Sequence, residues 1–217
     1  MAPRAGLVFL ILASLIASAC QTPVPAPPDA VAAPPEADNW RREIRPADAE
    51  LLDRLSDAWR DGLGEARERG FGRQIDAEGA LLVAGGGLPR AALPPGSYRC
   101  RLIRLGAGVR RAAFTAYPAY FCHVGAEDAL LAFTKQTGSE RPAGYIWADG
   151  DMRGVFLGAL VQGTETEVRA YGQDTARDLV GVVERVGPFR YRLIMPWPRN
   201  GAKADVLELV PVVADTP

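Results

Sequence analysis

Phe133-Thr134-Lys135-Gln136-Thr137-Gly138-Ser139-Glu140-Arg141-Pro142-Ala143-Gly144-Tyr145-Ile146-Trp147 sets the pattern for the second half of the chain. Two apolar and aromatic runs flank a dense cluster of Thr, Gly, Ser, Glu, Arg and Pro, the signature of strand, shaped turn and strand. Working outward from it, hydrophobic residues recur with a period of two from Gly96 almost to the end. The pattern predicts strands near Ser97–Leu105, Thr115–Val124, Ala129–Gln136, Gly144–Ala148, Arg153–Val161, Glu167–Tyr171, Asp178–Val186, Phe189–Pro196 and Asp205–Val210. Hairpin signals at Asp149-Gly150, Gly163, Gly187-Pro188 and Asn200-Gly201 separate several of them. Short strands at this spacing with no interleaved helices predict an antiparallel barrel-like domain of eight or nine strands over 96–211, a sandwich being the alternative. Residues 212–217 are a tail.

Upstream the period is helical. Leu51, Leu52, Leu55, Ala58, Trp59, Leu63 and Ala66 form one apolar stripe opposite Asp53, Arg54, Asp57, Arg60 and Asp61, which predicts a helix over Pro46–Arg69. A shorter helix is expected over Arg73–Val83, with Gly79 inside it. Gly85-Gly86-Gly87 does not make a phosphate loop, because Leu88-Pro89 follows and no lysine is near. Residues 84–95 read as a linker, so 39–95 is a helical segment with its connection and the fold class is α+β.

The first 38 residues carry address information. Met1–Ala19 has Arg4 and then an unbroken small and apolar run, shorter than the about 20 residues that span a bilayer but suited to a secretory signal peptide. Leu15-Ile16-Ala17-Ser18-Ala19-Cys20 resembles a bacterial lipoprotein box, in which the cysteine sulfur is lipidated before cleavage. The alternative is ordinary cleavage leaving a free Cys20 and a soluble periplasmic protein. Gln21 after the cysteine resembles the sorting signal for the outer membrane, and the Pro/Ala-rich residues 20–38 are a tether. The expected partner is therefore the membrane, through a lipid anchor at Cys20, on the periplasmic face of the outer membrane.

A chain of 217 residues with 48% apolar residues can bury a core, and a formal net charge of -1 gives no footing for nucleic acid. Apart from Cys20 there are Cys100 and Cys122, both in predicted strands of an exported chain. If those strands are hairpin neighbours, their register can place the two opposite each other, and a disulfide is predicted.

Tyr98-Arg99-Cys100, Tyr117-Pro118 with Phe121-Cys122, Thr134 to Gly144, Phe156-Leu157-Gly158, Tyr171-Gly172, Asp178-Leu179-Val180-Gly181, Arg192-Leu193 with Pro196, and Asp205 to Pro211 follow one another in a specific order. Together they resemble the domain-of-unknown-function family 4893 of bacterial exported proteins, over about Trp40 to Pro211. Glu140 stands where that family usually carries Gln. The resemblance implies no activity and promotes no residue to a catalytic role.

No catalytic residue, metal site or cofactor is expected. His123 is the only histidine and no Gly-x-Ser-x-Gly elbow accompanies it. Asp149-Gly150-Asp151 lacks the further ligands of a calcium loop and reads as a turn. Glu165 and Glu167 read as a solvated strand edge. The candidate binding residues are Arg141, Ser139, Thr137, Lys135 and Arg153: Arg141 to clasp an anionic ligand, the hydroxyls beside it, and Lys135 and Arg153 near if their strands are neighbours. The alternative is that Thr137 and Ser139 satisfy turn backbone groups and that Arg141 pairs with Glu140 or an Asp. The functional expectation is a non-enzymatic envelope lipoprotein that binds a small ligand or an envelope protein. Two alternatives are an envelope hydrolase acting on a glycan or ester, and a structural or inhibitory interaction protein.

Overall fold

The computed structural model describes residues 39–106 and 111–212. The expected signal peptide, Cys20 with its expected tether, and residues 213–217 lie outside the described residues. Eight antiparallel strands close into a barrel in sequence order, because β1 pairs with both β2 and β8. They are β1 Gly96–Leu105, β2 Phe114–Glu127, β3 Leu130–Lys135, β4 Glu140–Ala148, β5 Gly154–Gln162, β6 Asp178–Gly187, β7 Arg190–Pro196 and β8 Ala204–Pro211. Before them run α1 Trp40–Glu43, α2 Pro46–Asp53, α3 Leu55–Glu68, α4 Gly72–Ala77 and a 3₁₀ turn Gly79–Leu82.

Closure sorts the side chains by alternation. Tyr98, Cys100, Cys122, Val124, Phe133, Ile146, Phe156, Val183, Leu193, Leu207 and Leu209 fill the lumen. On the outer wall Ile103, Leu105, Ile194 and Val206 receive Ala58, Trp59 and Ala66 of α3, while Tyr145, Trp147, Leu157, Val180 and Val182 receive Trp40 and Leu52. The core is thus two shells, one inside the sheet and one between sheet and helices.

Several expectations change. The helix predicted over Pro46–Arg69 breaks at Arg54, whose φ of -97° and ψ of 18° leave the helical region. The break lets the two halves of one apolar stripe serve two patches of wall: Leu52 packs with β3–β6 residues and Trp59 with those of β1, β7 and β8. The second helix stops at Ala77, and Gly79, with φ +57°, starts the 3₁₀ turn. The expected strand Glu167–Tyr171 is absent, since β5 pairs directly with β6 and leaves it no ladder. Strand β4 begins earlier than predicted and includes Pro142. It lies beyond the last β3–β4 pair, Thr134–Ala143, where one edge of β4 is open and a missing N–H is tolerated.

Residues 84–95 are more than a linker. Leu88 N–H donates to Arg185 O at 2.8 Å, Ala91 N–H to Asp151 O at 3.1 Å, and Tyr98 hydroxyl to Pro94 O at 2.5 Å. Leu93 drops into the lumen cluster. This strap closes the barrel end that carries the β4–β5 and β6–β7 turns.

Cys100 and Cys122 form the disulfide, with Cα atoms 5.9 Å apart. Their strands are hairpin neighbours, but Tyr98 faces Cys122 and Cys100 faces Tyr120, so the bridge runs diagonally across the ladder rather than between directly opposed residues. It ties off a separation of 22 residues inside the lumen. Replacing both cysteines by Ala is expected to lower stability by about 3 kcal/mol in the chain-entropy picture. Urea unfolding of the two proteins measures it, and an unchanged midpoint would refute a stabilising role.

Candidate functional site

The opposite barrel end is open. It is ringed by the ends of β1, β3, β5 and β7, the starts of β2, β4, β6 and β8, and the segments 136–139, 163–177 and 197–203 between them. A cavity of about 240 Å³ lies within this mouth. Leu102, Pro142, Leu160, Leu179, Met195 and Leu207 form its apolar wall, and Lys135, Glu140, Gln162, Arg177, Arg199, Asn200 and Asp205 its polar rim.

The rim is built on inward-facing strand positions that carry charge instead of Leu or Val. Arg104 continues the inward row of Tyr98, Cys100 and Leu102. Its guanidinium forks onto Asp205, Nε to Oδ1 and Nη2 to Oδ2 both at 2.8 Å, with Glu140 Oε2 3.0 Å from Nη2. Burial works against the Arg104 charge, but the hydrogen bonds and charge of Asp205, then Glu140, outweigh it and hold its pKa above the ordinary value. Asn200 Nδ2 donates to Asp205 Oδ2 at 2.7 Å, so Asp205 accepts from three donors.

Loop geometry holds the rest. In the β3–β4 turn Thr137 Oγ1 accepts from Phe121 N–H at 3.0 Å, and Lys135 Nζ donates to Thr137 O at 2.6 Å and Glu140 O at 2.8 Å while resting 4.2 Å over the Tyr120 ring. Gly138 closes that turn at φ +93°, and a Cβ there would sit 2.7 Å from Lys135 Nζ. The β5–β6 segment is clasped by Arg141, which donates to the carbonyls of Gly138, Gly163 and Glu165. In the β7–β8 loop Trp197 takes φ +40°, a costly conformation for a bulky side chain. It is held by its N–H bond to Lys203 O at 2.8 Å and by the Arg54 guanidinium 4.7 Å over its ring.

The five residues expected to bind together are therefore dispersed. Lys135 alone lines the cavity. Arg141 is buried on the outer wall with its donors on loop carbonyls, Thr137 satisfies a backbone N–H, and Ser139 is an exposed turn residue whose carbonyl accepts from Gly163 N–H at 2.9 Å. Arg153 is at the closed end, paired with Asp149 at 2.7 Å. Asp149 also accepts from Trp40 Nε1 and Arg41 Nη1, each at 3.3 Å, and so anchors α1 to the β4–β5 turn. His123 is exposed on the wall of β2, and Glu165 pairs with Arg177. Among the described residues no group of three His, Cys, Asp or Glu side chains is placed to hold a metal ion. Sequence reading missed Arg104, Asp205, Gln162, Arg177, Arg199 and Asn200. The available signal was phase: Arg104 and Asp205 share the inward alternation of Leu102 and Leu207.

Residues 40–209 match the family described as a domain of unknown function, DUF4893. The chain belongs to that family. No curated protein and no solved structure matches it. In this DUF4893 domain the match begins at Trp40, the first residue of α1, and ends at Leu209 of β8, so it takes in the outer helices as well as the barrel.

Lys135 gives the mouth a titration signature. Burial, then the neighbouring Arg141 charge, push its ammonium down to about 8, with Glu140 opposing. The unfolded lysine keeps its proton to about pH 10.4. Between these values the unfolded chain holds more protons, so this group makes stability rise with pH; below about 8 both states are charged and its effect is constant. Tyr98, Tyr145 and Tyr171, raised chiefly by burial, pull the other way near pH 10 and above. The difference between the wild type and Lys135→Met isolates the lysine. By pH 9 the wild type is expected to gain on the order of 1 kcal/mol relative to the variant, compared with pH 7. Parallel urea curves at the two pH values test this, and a difference independent of pH would refute it.

Proposed function

We propose that this DUF4893 protein is a lipid-anchored envelope protein whose barrel binds a small ligand in its open mouth. The observation that carries the reading is the asymmetry of the lumen. Beneath the strap the lumen holds Tyr98, the disulfide, Phe133 and Phe156, and a cavity of about 210 Å³ there is walled almost wholly by apolar residues, whereas the mouth sets an apolar hollow of about 240 Å³ under a ring of seven polar or charged side chains. A purely structural or inhibitory barrel has no need of that hollow, and small-ligand sites have this makeup of apolar wall and few polar groups.

The anchor reading rests on Ala17-Ser18-Ala19-Cys20 and on the Pro/Ala-rich residues that follow. The disulfide suits an oxidising compartment. The described chain starts at the closed end, where Trp40 and Arg41 meet Asp149. A tether from Cys20 therefore joins the body at the end away from the mouth. The hydrolase alternative finds less support: the carboxylates nearest the hollow, Glu140 and Asp205, are both engaged by Arg104, and the residues lining the hollow include no Ser, Cys or His to act as nucleophile or base beside them.

Native mass spectrometry of the protein extracted from its own membranes tests both parts. The expected result is a diacylglycerol-modified Cys20 together with a dissociable small molecule. Leu160→Trp, which fills the hollow, is expected to lose the small molecule while retaining near-UV circular dichroism. A wild type without bound mass, or a folded Leu160→Trp protein that keeps it, overturns the binding reading; a free Cys20 thiol overturns the anchor.

A further inference from the structure

The hydrogen-bond inventory of the mouth is unequal. Its carboxylates are held from within: Asp205 takes two bonds from Arg104 and one from Asn200, and Glu140, with 47% of its side chain exposed, takes one from Arg104. Its donors are not. Among the described residues Arg199, with 48% of its side chain exposed, makes a 3.4 Å bond from Nε to Asp178 O and a 3.7 Å approach to Asp48. Arg177 gives Nη1 to Glu165 and lies 3.6 Å from Asp174 through Nε, leaving Nη2 unengaged among the described residues. Asn200 has a second N–H, and Gln162 contributes a side-chain amide. Two guanidiniums with planar donor forks therefore stand over a hollow walled by leucines and Met195.

We infer that the mouth takes a short single-chain amphiphile with an anionic head, a carboxylate or a phosphate, its head on Arg199 and Arg177 and its chain against Leu102, Leu160, Leu179, Met195 and Leu207. This inference rests on the binding reading above and names the ligand class. The hollow of about 240 Å³ sets the length. At roughly 30 Å³ per water it equals about eight waters, so the chain is short. Arg104 is not the anion site, because its donors are already committed to Asp205, Glu140 and the Tyr117 hydroxyl. Lys135 is not either: its ammonium is pinned to two carbonyls and a ring face. The inner charges thus hold the mouth in shape, and the outer guanidiniums meet the ligand.

The test is calorimetric titration of the full-length lipidated protein in lipid nanodiscs, which avoids detergent competing for the hollow. Four probes share one chain: octanoate, octyl phosphate, octylamine and octanol. Leu160→Trp in the same discs serves as the blank for partition into lipid. Octanoate or octyl phosphate is expected to bind at least about tenfold tighter than octylamine and octanol, and the tighter of the two identifies the head. Arg199→Gln is expected to weaken the bound anion about tenfold and to leave octanol unchanged, as loss of one charge-assisted contact would. Octylamine or octanol binding as tightly as both anions, or Arg199→Gln without effect on the anion, overturns the anionic class while the pocket stands. If none of the four binds above the blank, the pocket reading falls with it.

Discussion

The pairing of β1 with β8 is the constraint on which everything else depends. Once Tyr98–Leu105 lies against Ala204–Pro211, every strand has a neighbour on both sides, and every inward side chain must share one lumen with those of seven other strands. The closed end solves this with aromatic bulk, the disulfide and the close approach of Gly144 to Gly158. A Cβ on either glycine would come within 2.3 Å of facing backbone, so no larger residue fits that pair. The mouth cannot be solved the same way, because five inward positions there are Arg104, Lys135, Glu140, Gln162 and Asp205. Polar groups at a barrel end need partners or water, and the partners they find fix the opening.

Arginine is the second material of the fold. The sequence shows Lys only at Lys135 and Lys203, which by itself looks like codon bias. The structure gives the guanidiniums work that an ammonium does poorly. Arg192 is fully buried on the outer wall of β7, where it donates to Glu184 and to the carbonyls of Leu81 and Val83 at 2.8 and 2.9 Å, with Trp59 beneath it. One side chain thus secures the 3₁₀ turn, α3 and the sheet. Arg101 bridges Glu78 and Glu208, and Arg190 adds to Glu208, joining the same outer segment to β1, β7 and β8. A planar fork with five donors can satisfy several carbonyls or carboxylates at once. Where a compact charge fits better, inside the β3–β4 turn under Gly138, the chain carries Lys135.

The fold was legible because alternation is a local signal. Eight strands, the hairpin turns and the Cys100–Cys122 bridge follow from residues read within a few positions of one another. What was not legible depends on partners distant in sequence. Glu167–Tyr171 has strand-like composition, yet Tyr171 places its hydroxyl 2.6 Å from Asp48 instead of joining a ladder. The break at Arg54 answers to two separate patches of barrel wall, and the Gly- and Pro-rich strap answers to an open barrel end. The site was misplaced for the same reason. Thr137, Ser139 and Arg141 are the most varied polar cluster in the sequence, but alternation sends Arg141 outward and leaves only Lys135 on the lumen.

Variety in a turn and charge in a strand carry different information. A turn exposed to water can hold polar residues at little cost, so Ser139 or Thr137 needs no function to explain it. An Arg104 in phase with Tyr98 and Cys100 is costly unless a carboxylate meets it, and Asp205 on the neighbouring strand is paired with it directly in the β1–β8 register. Breaking that pair would leave a buried charge uncompensated, whereas two leucines there would extend the apolar core and close the hollow. The pair at once holds the barrel seam one rung from its end and keeps the mouth polar. Its position, between a filled core and an open rim, is the physical reason the hollow at this end carries charge at its rim.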